Sequence, residues 1–256
     1  MTGFAPDHAG AAVVPSPNFG PRKDCKQPRL VILHYTGMAT GEEAEAFLAS
    51  EAAEVSAHYL VHEDGRIVQM VPESERAWHA GRSSWHGESD INSASIGIEI
   101  VNPGPLQDFP PFAAYGIEAT IALCRDLAGR HGIAPEGFLA HSDVAPGRKI
   151  DPGEKFPWHT LHAAGIGHWV EPVPISGGRF LSLGDEGQPV EALQSMLALY
   201  GYGVPISGFF GPETEIVVAA FQRHFRPERV DGVADASTIA TLHRLLAALP
   251  LPPAVV

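Results

Sequence analysis

Cysteine, basic charge and long apolar runs are all in short supply, and each shortage removes a class of answer. Two cysteines occur among 256 residues, Cys25 and Cys124. That excludes a disulfide framework, and without a CxxC pair a thiolate metal site is not suggested. Lys and Arg number 17 against 30 Asp and Glu, for a formal net charge of −13. Such a surface repels phosphate backbones, so nucleic acid is not expected as a partner. No apolar run is long enough for a transmembrane segment. Residues 1–23 carry no basic stretch followed by an apolar core, and Cys25 lacks the apolar lead-in of a lipoprotein signal. On sequence alone this favours the cytoplasm.

What is present is an ordinary globular mixture, 45% hydrophobic and 18% charged, enough to build a packed core. Residues 1–27, rich in Pro, Gly and Ala, read as an irregular N-terminal arm. Residues 28–165 form a first block. LVILHY over 30–35 is β-branched and apolar, and predicts a buried strand. Residues 42–53 are Ala/Glu-rich and predict a helix. YLVHEDGRIVQMV over 59–71 places two strand-like runs around Glu63-Asp64-Gly65, a hairpin signal. SIGIEIV over 95–101 predicts another strand, and 137–141 a last short one. Residues 112–131 have helical spacing, with Gly132 as the stop. The fold class expected is α/β, a mixed sheet flanked by helices.

Residues 166–178 (IGHWVEPVPISGG) hold Pro, Gly and Ser breakers and read as a linker. In 179–249, three stretches have helical apolar spacing: 190–200, 212–225 and 236–249. A small all-α three-helix domain is expected there, with a tail over 250–256. Two phrases in it resemble each other, GFFGPET over 208–214 and DGVADAST over 231–238.

The first block carries the chemistry. Alternation puts Leu30, Ile32 and His34 on one face of their strand, with His34 at its end. His141 follows another short apolar run, and Asp151 lies ten residues later in a Pro/Gly-bounded loop. Two imidazoles and a carboxylate would give a tetrahedral zinc three protein ligands and leave one position for water, as in catalytic rather than structural sites. Such a site lowers the pKa of the water and polarises a carbonyl. Glu99 interrupts an apolar strand, with the Ile side chains of IGIEI on the opposite face. It reads either as a buried general acid or base of raised pKa or as the polar face of a solvated strand. Lys149 is an ordinary surface lysine taken alone; beside a metal, its ammonium could stabilise an oxyanion.

These pieces resemble the amidase-2 family of N-acetylmuramoyl-L-alanine amidases. The likeness runs through ILHYT (32–36), SAHYLVHEDGRIVQMV (56–71), AWHAG (77–81), NSASIGIEI (92–100) and AHSDVAPGRKIDPG (140–153). It implies Zn2+, one per chain, on His34, His141 and Asp151, with Glu99 activating water and Lys149 steadying the tetrahedral intermediate. The bond cut would join the lactyl group of N-acetylmuramic acid to L-alanine, in peptidoglycan or a muropeptide. His58, Trp78, His79 and Asn92 are the implied substrate-groove residues. In other branches of the family a tyrosine stands near the place of His58, so a catalytic role is not carried over to it. Trp78 reads equally as packing. The second block resembles the peptidoglycan-binding-1 domain through LGDEGQPVEALQSMLALYGY, GFFGPETEIVVAAFQRHF and VDGVADASTIATL. A wall-binding domain favours the periplasm or cell envelope, against the cytoplasmic recycling role that the missing signal favours. Two other readings remain at this point: a recognition protein that has lost its zinc, and a zinc D,D-carboxypeptidase. The first conflicts with the full ligand set. The second leaves ILHYT and WHAG unexplained.

Overall fold

The computed structural model describes residues 3–25 and 27–250. Eight strands and eight α-helices are found among them, in the order β1 (Ala12–Val13), β2 (Phe19–Pro21), β3 (Leu30–Tyr35), α1 (Gly41–Leu48), β4 (Tyr59–Val61), β5 (Ile67–Gln69), β6 (Glu75–Ala77), α2 (Ile91–Ala94), β7 (Ser95–Ile100), α3 (Ala114–His131), β8 (Phe138–Ala140), α4 (His141–Val144), α5 (Trp158–Ala163), α6 (Gln188–Tyr200), α7 (Pro212–Phe225) and α8 (Ala236–Ala247). Six strands form one mixed sheet in the order β1-β5-β4-β7-β3-β8. Only the β4–β5 hairpin is antiparallel; the other pairs are parallel.

The central strands are apolar because both faces of the sheet are covered. Val31 and Leu33 join Leu123, Cys124 and Leu127 of α3 on one side. Leu30 and Ile32 point the other way, into a core shared with the C-terminal helices. α1 begins at Thr40, whose hydroxyl accepts the Glu43 N–H at 3.2 Å, and it stops at Leu48. The rest of the helix expected over 42–53 is a separate 3-10 turn, Glu51–Ala53. α3 ends on Gly132 at φ +67°, the left-handed cap expected of that glycine.

The N-terminal stretch is not irregular throughout. β1 pairs with β5, and β2 with β6 in a separate two-stranded sheet. These pairings come from partners more than fifty residues away, which local composition does not report. Arg22 anchors the stretch by donating to the carbonyls of Glu73, Ser93 and Ser95. The expected tail lies outside the described residues except for Pro250.

The second block is three helices, α6, α7 and α8, and its two similar phrases have a common structural use. Gln194 of α6 accepts from the Ser207 and Gly208 N–H groups and donates to Phe209 O and Thr214 Oγ1. Gln222 of α7 accepts from Asp231 and Gly232 N–H and donates to Val233 O and Thr238 Oγ1. Each buried glutamine therefore replaces the water that a turn would otherwise need.

The two blocks share one core. Leu30, Ile32, Ala80, Trp85 and Ile91 cluster with Leu193, Leu197, Tyr200 and Phe221. Trp85 meets Tyr202 and Tyr200 edge-on, at 5.0 and 6.0 Å between ring centroids. A Cβ at position 201 would lie 2.5 Å from the Trp85 ring, so Gly201 permits this contact. The segment read as a linker is strapped down: Val173 N–H donates to Thr241, and Ser237 donates to Val173 O.

Candidate active site

His34 and Glu99 are register partners on the adjacent parallel strands β3 and β7, so their side chains leave the sheet side by side. His141 is the first residue of α4, directly after β8, which is the other neighbour of β3. Asp151 is folded back onto it, with its carbonyl accepting the Ser142 N–H at 3.0 Å. The sheet order thus brings residues 34, 99, 141 and 151 to one edge of the β3 strand end.

His34 Nδ1, His141 Nδ1 and Asp151 Oδ2 lie 2.9 Å from one another in all three pairs. All three residues are buried, and among the described residues this trio is a group that could hold a metal ion. Hydrogen positions follow from their outer partners. His141 Nε2 faces Ala80 O at 3.1 Å, and the tautomer that donates to this carbonyl leaves Nδ1 as an electron pair. Ser95 uses its hydroxyl proton on Ile91 O at 2.6 Å. It can therefore only accept from His79 Nε2, at 3.1 Å. His79 Nδ1 then accepts from His34 Nε2, also at 3.1 Å, so that His34 Nδ1 too is an electron pair. Three electron pairs meet with no hydrogen left to join them. A cation is the partner this arrangement suits.

The electrostatics agree. Burial first, then the neighbouring His141, push the His34 imidazole down to about 4, so it is neutral near pH 7. Burial would raise the Asp151 carboxyl, but the facing His141 and His34 outweigh it and hold it well below the ordinary carboxylate range. Glu99 moves the other way. Burial, and then the Asp151 charge, raise it well above its ordinary value, with Lys149 opposing. Its Oε2 is buried without a hydrogen-bond partner. The cluster, Glu99 and Lys149 all line one cleft of about 440 Å³, walled by Tyr35, Trp78 and Ile150.

The substrate-groove expectations divide. Trp78 and His79 line the cleft, and His79 is also the residue that orients His34. His58 does not line it. It is fully buried, its Nδ1 accepting the Gly97 N–H at 2.9 Å and its Nε2 facing Glu75 O at 3.1 Å. Asn92 is buried too, and its Oδ1 is spent on the N–H groups of His79 and Ala80. Both were expected beside substrate because they belong to the same motifs as cleft residues; the structure gives them a supporting place one layer deeper. Gly97, which could have left room for a ligand, instead leaves room for His79: a Cβ there would sit 2.4 Å from the His79 ring. Sequence reasoning passed over Ser95 and Arg148. The signal for Ser95 is a hydroxyl two positions before the strand's glycine. Arg148 is next to Lys149, donates to the carbonyls of Ala80 and Arg82, and lines the cleft.

A mixed sheet that carries two histidines, an aspartate and an isolated glutamate to the floor of one cleft defines the class: a hydrolytic enzyme with a cluster able to hold a metal ion. The chain belongs to the N-acetylmuramoyl-L-alanine amidase family, whose model matches residues 24–154. A second model, for peptidoglycan binding domains, matches residues 186–242. The chain is 39% identical over 233 residues to the N-acetylmuramoyl-L-alanine amidase AmiD of Escherichia coli, covering 85% of this chain and 82% of that protein. It is 35% identical over 167 residues to the 1,6-anhydro-N-acetylmuramyl-L-alanine amidase AmpD of Enterobacter cloacae, covering 59% of this chain and 87% of that protein. Among solved structures it is similar to the E. coli AmiD complex with anhydro-N-acetylmuramic acid-L-Ala-D-gamma-Glu-L-Lys, with a TM-score of 0.74 and 38% identity over 89% of this chain and 90% of that one. AmpDh3 of Pseudomonas aeruginosa gives a TM-score of 0.72 and 30% identity over 97% of this chain and all of that one.

Proposed function

We propose that His34, His141 and Asp151 hold one zinc ion, and that the cleft above them hydrolyses the amide between the lactyl group of N-acetylmuramic acid and L-alanine of the stem peptide. The observation that carries this reading is the convergence of three lone-pair atoms at 2.9 Å, with Glu99 beside them. Two imidazole nitrogens and a carboxylate oxygen are a donor set that zinc accepts, with a coordination position left over. When bound, zinc supplies Lewis-acid polarisation of a carbonyl and lowers the pKa of water in the cleft.

The remaining work falls to the chain. The Glu99 carboxylate takes a proton from the attacking water and returns it to the departing alanine nitrogen; its raised proton affinity suits both transfers. Lys149, an exposed residue that lines the cleft, offsets the charge that grows on the carbonyl oxygen. Trp78, Tyr35 and Ile150 supply the wall against which a muramyl-peptide lies. The AmiD complex with an anhydro-muramyl peptide supports that substrate class. The helical block, 179–249, is proposed as the peptidoglycan-binding part, and no helix of the described residues is long and apolar enough to cross a membrane.

Mass spectrometry of a digested muropeptide tests the reading. Release of the whole stem peptide with a new N-terminal alanine is expected. Release of a terminal D-alanine alone would contradict it.

A further inference from the structure

Asp143 is fully buried two residues beyond His141, and its carboxylate is completely engaged. Its Oδ2 accepts the Ala140 N–H at 2.8 Å and His224 Nδ1 at 2.6 Å; its Oδ1 accepts the Tyr202 hydroxyl at 2.6 Å. Ala140 and Asp143 flank His141, so this one carboxylate ties down the turn that carries the ligand. Two of its three donors come from the helical block.

A buried carboxylate is tolerated only when its lone pairs are satisfied. Here that satisfaction depends on docking across the boundary between the two blocks. Both donors are themselves held in place. The His224 ring stacks on Trp158 and on Phe225, at 3.7 Å between centroids in each case. Tyr202 packs edge-on to Trp85. Burial and then the Asp143 charge raise the Tyr202 phenol well above its ordinary value, so it stays a donor.

We propose that Tyr202 and His224 are positioning residues of the active site: through Asp143, the helical block fixes the placement of His141. That block then does more than attach the enzyme to the wall, because it completes the support of a metal ligand. The inference rests on the reading that His34, His141 and Asp151 hold zinc.

The test uses the full chain with Tyr202→Phe, His224→Leu and His224→Asn. Three quantities are read: zinc affinity by chelator competition, kcat and KM on a soluble muropeptide, and thermal stability without metal. Tyr202→Phe and His224→Leu each remove one donor and are expected to weaken zinc binding by about tenfold, the lower end for outer-shell partners, and to lower kcat with little change in KM. His224→Asn keeps an N–H donor at the same position along the side chain and is expected to recover most of both. A lowered melting temperature with zinc affinity and kcat unchanged would overturn the proposal and leave only a structural contact. A wild-type chain that takes up no zinc would instead remove the ligand assignment, and this inference with it.

Discussion

A buried carboxylate oxygen without a donor costs free energy, and Glu99 keeps one beside the His34–His141–Asp151 cluster. An apolar residue of similar size would avoid that cost, which is why proton transfer is the role proposed for the carboxylate. Glu99→Gln is expected to retain zinc and to lose on the order of a hundredfold or more in kcat, the scale of a lost general base. Steady-state kinetics with metal analysis on the same sample checks this, and full activity would remove Glu99 from the chemistry. His58 gives a different residue-scale prediction. Burial, then Arg22, lower its pKa to about 3 from 6.5. The unfolded chain takes up a proton below pH 6.5 that the folded one refuses until about 3, so stability is present above 6.5 and is lost as the pH falls through that window. Between pH 6.5 and 4.5 this one group removes about 2 kcal/mol. Urea unfolding of the metal-free chain should show that loss, and His58→Gln should lose less over the same interval. The three clustered residues, His34, His141 and Asp151, could be picked out in the sequence because each ends an apolar run or sits in a Pro/Gly-bounded loop. The deeper places of His58 and Asn92 were not, because a motif gives proximity along the chain and not depth in the fold.

At the scale of elements, the site depends on register. The pairs His34↔Glu99 and Ile32↔Gly97 between β3 and β7 set His34 beside Glu99, and set the missing side chain beneath His79. Gly97→Ala places a methyl against that ring, and neither Gly97 nor its neighbours can move without breaking two parallel ladders. A loss of about 1–3 kcal/mol in stability is expected from overpacking, along with weaker zinc binding as His79 is pushed onto His34. Denaturant titration and chelator competition measure the two effects; an unchanged protein would mean that the ring has another place to go. β3, β7, the β4–β5 hairpin and the four long helices were legible because each spans at least one full period of its own pattern. β1, β2, β6, α2 and α4 span two to four residues, lack the Asp-Gly turn or the long apolar pattern that marks the others, and are held by distant partners or by the site.

For the whole molecule, the sequence divides into two blocks joined by a breaker-rich segment, yet Ile32 and Trp85 of the first share a core with Leu197 and Phe221 of the second. Periodicity marks a face as apolar without saying what covers it, so this docking was not legible. Its consequence is that the cleft, the sheet and the helical block act as one support for the cluster. The most direct measurement is zinc titration into chelator-stripped protein, following stem-peptide release and bound metal together. Activity should rise in proportion to zinc and level off at one ion per chain, and His34→Ala should show neither tight binding nor activity. Full amide cleavage by the metal-free chain, or by a zinc-replete His34→Ala variant, would contradict the account.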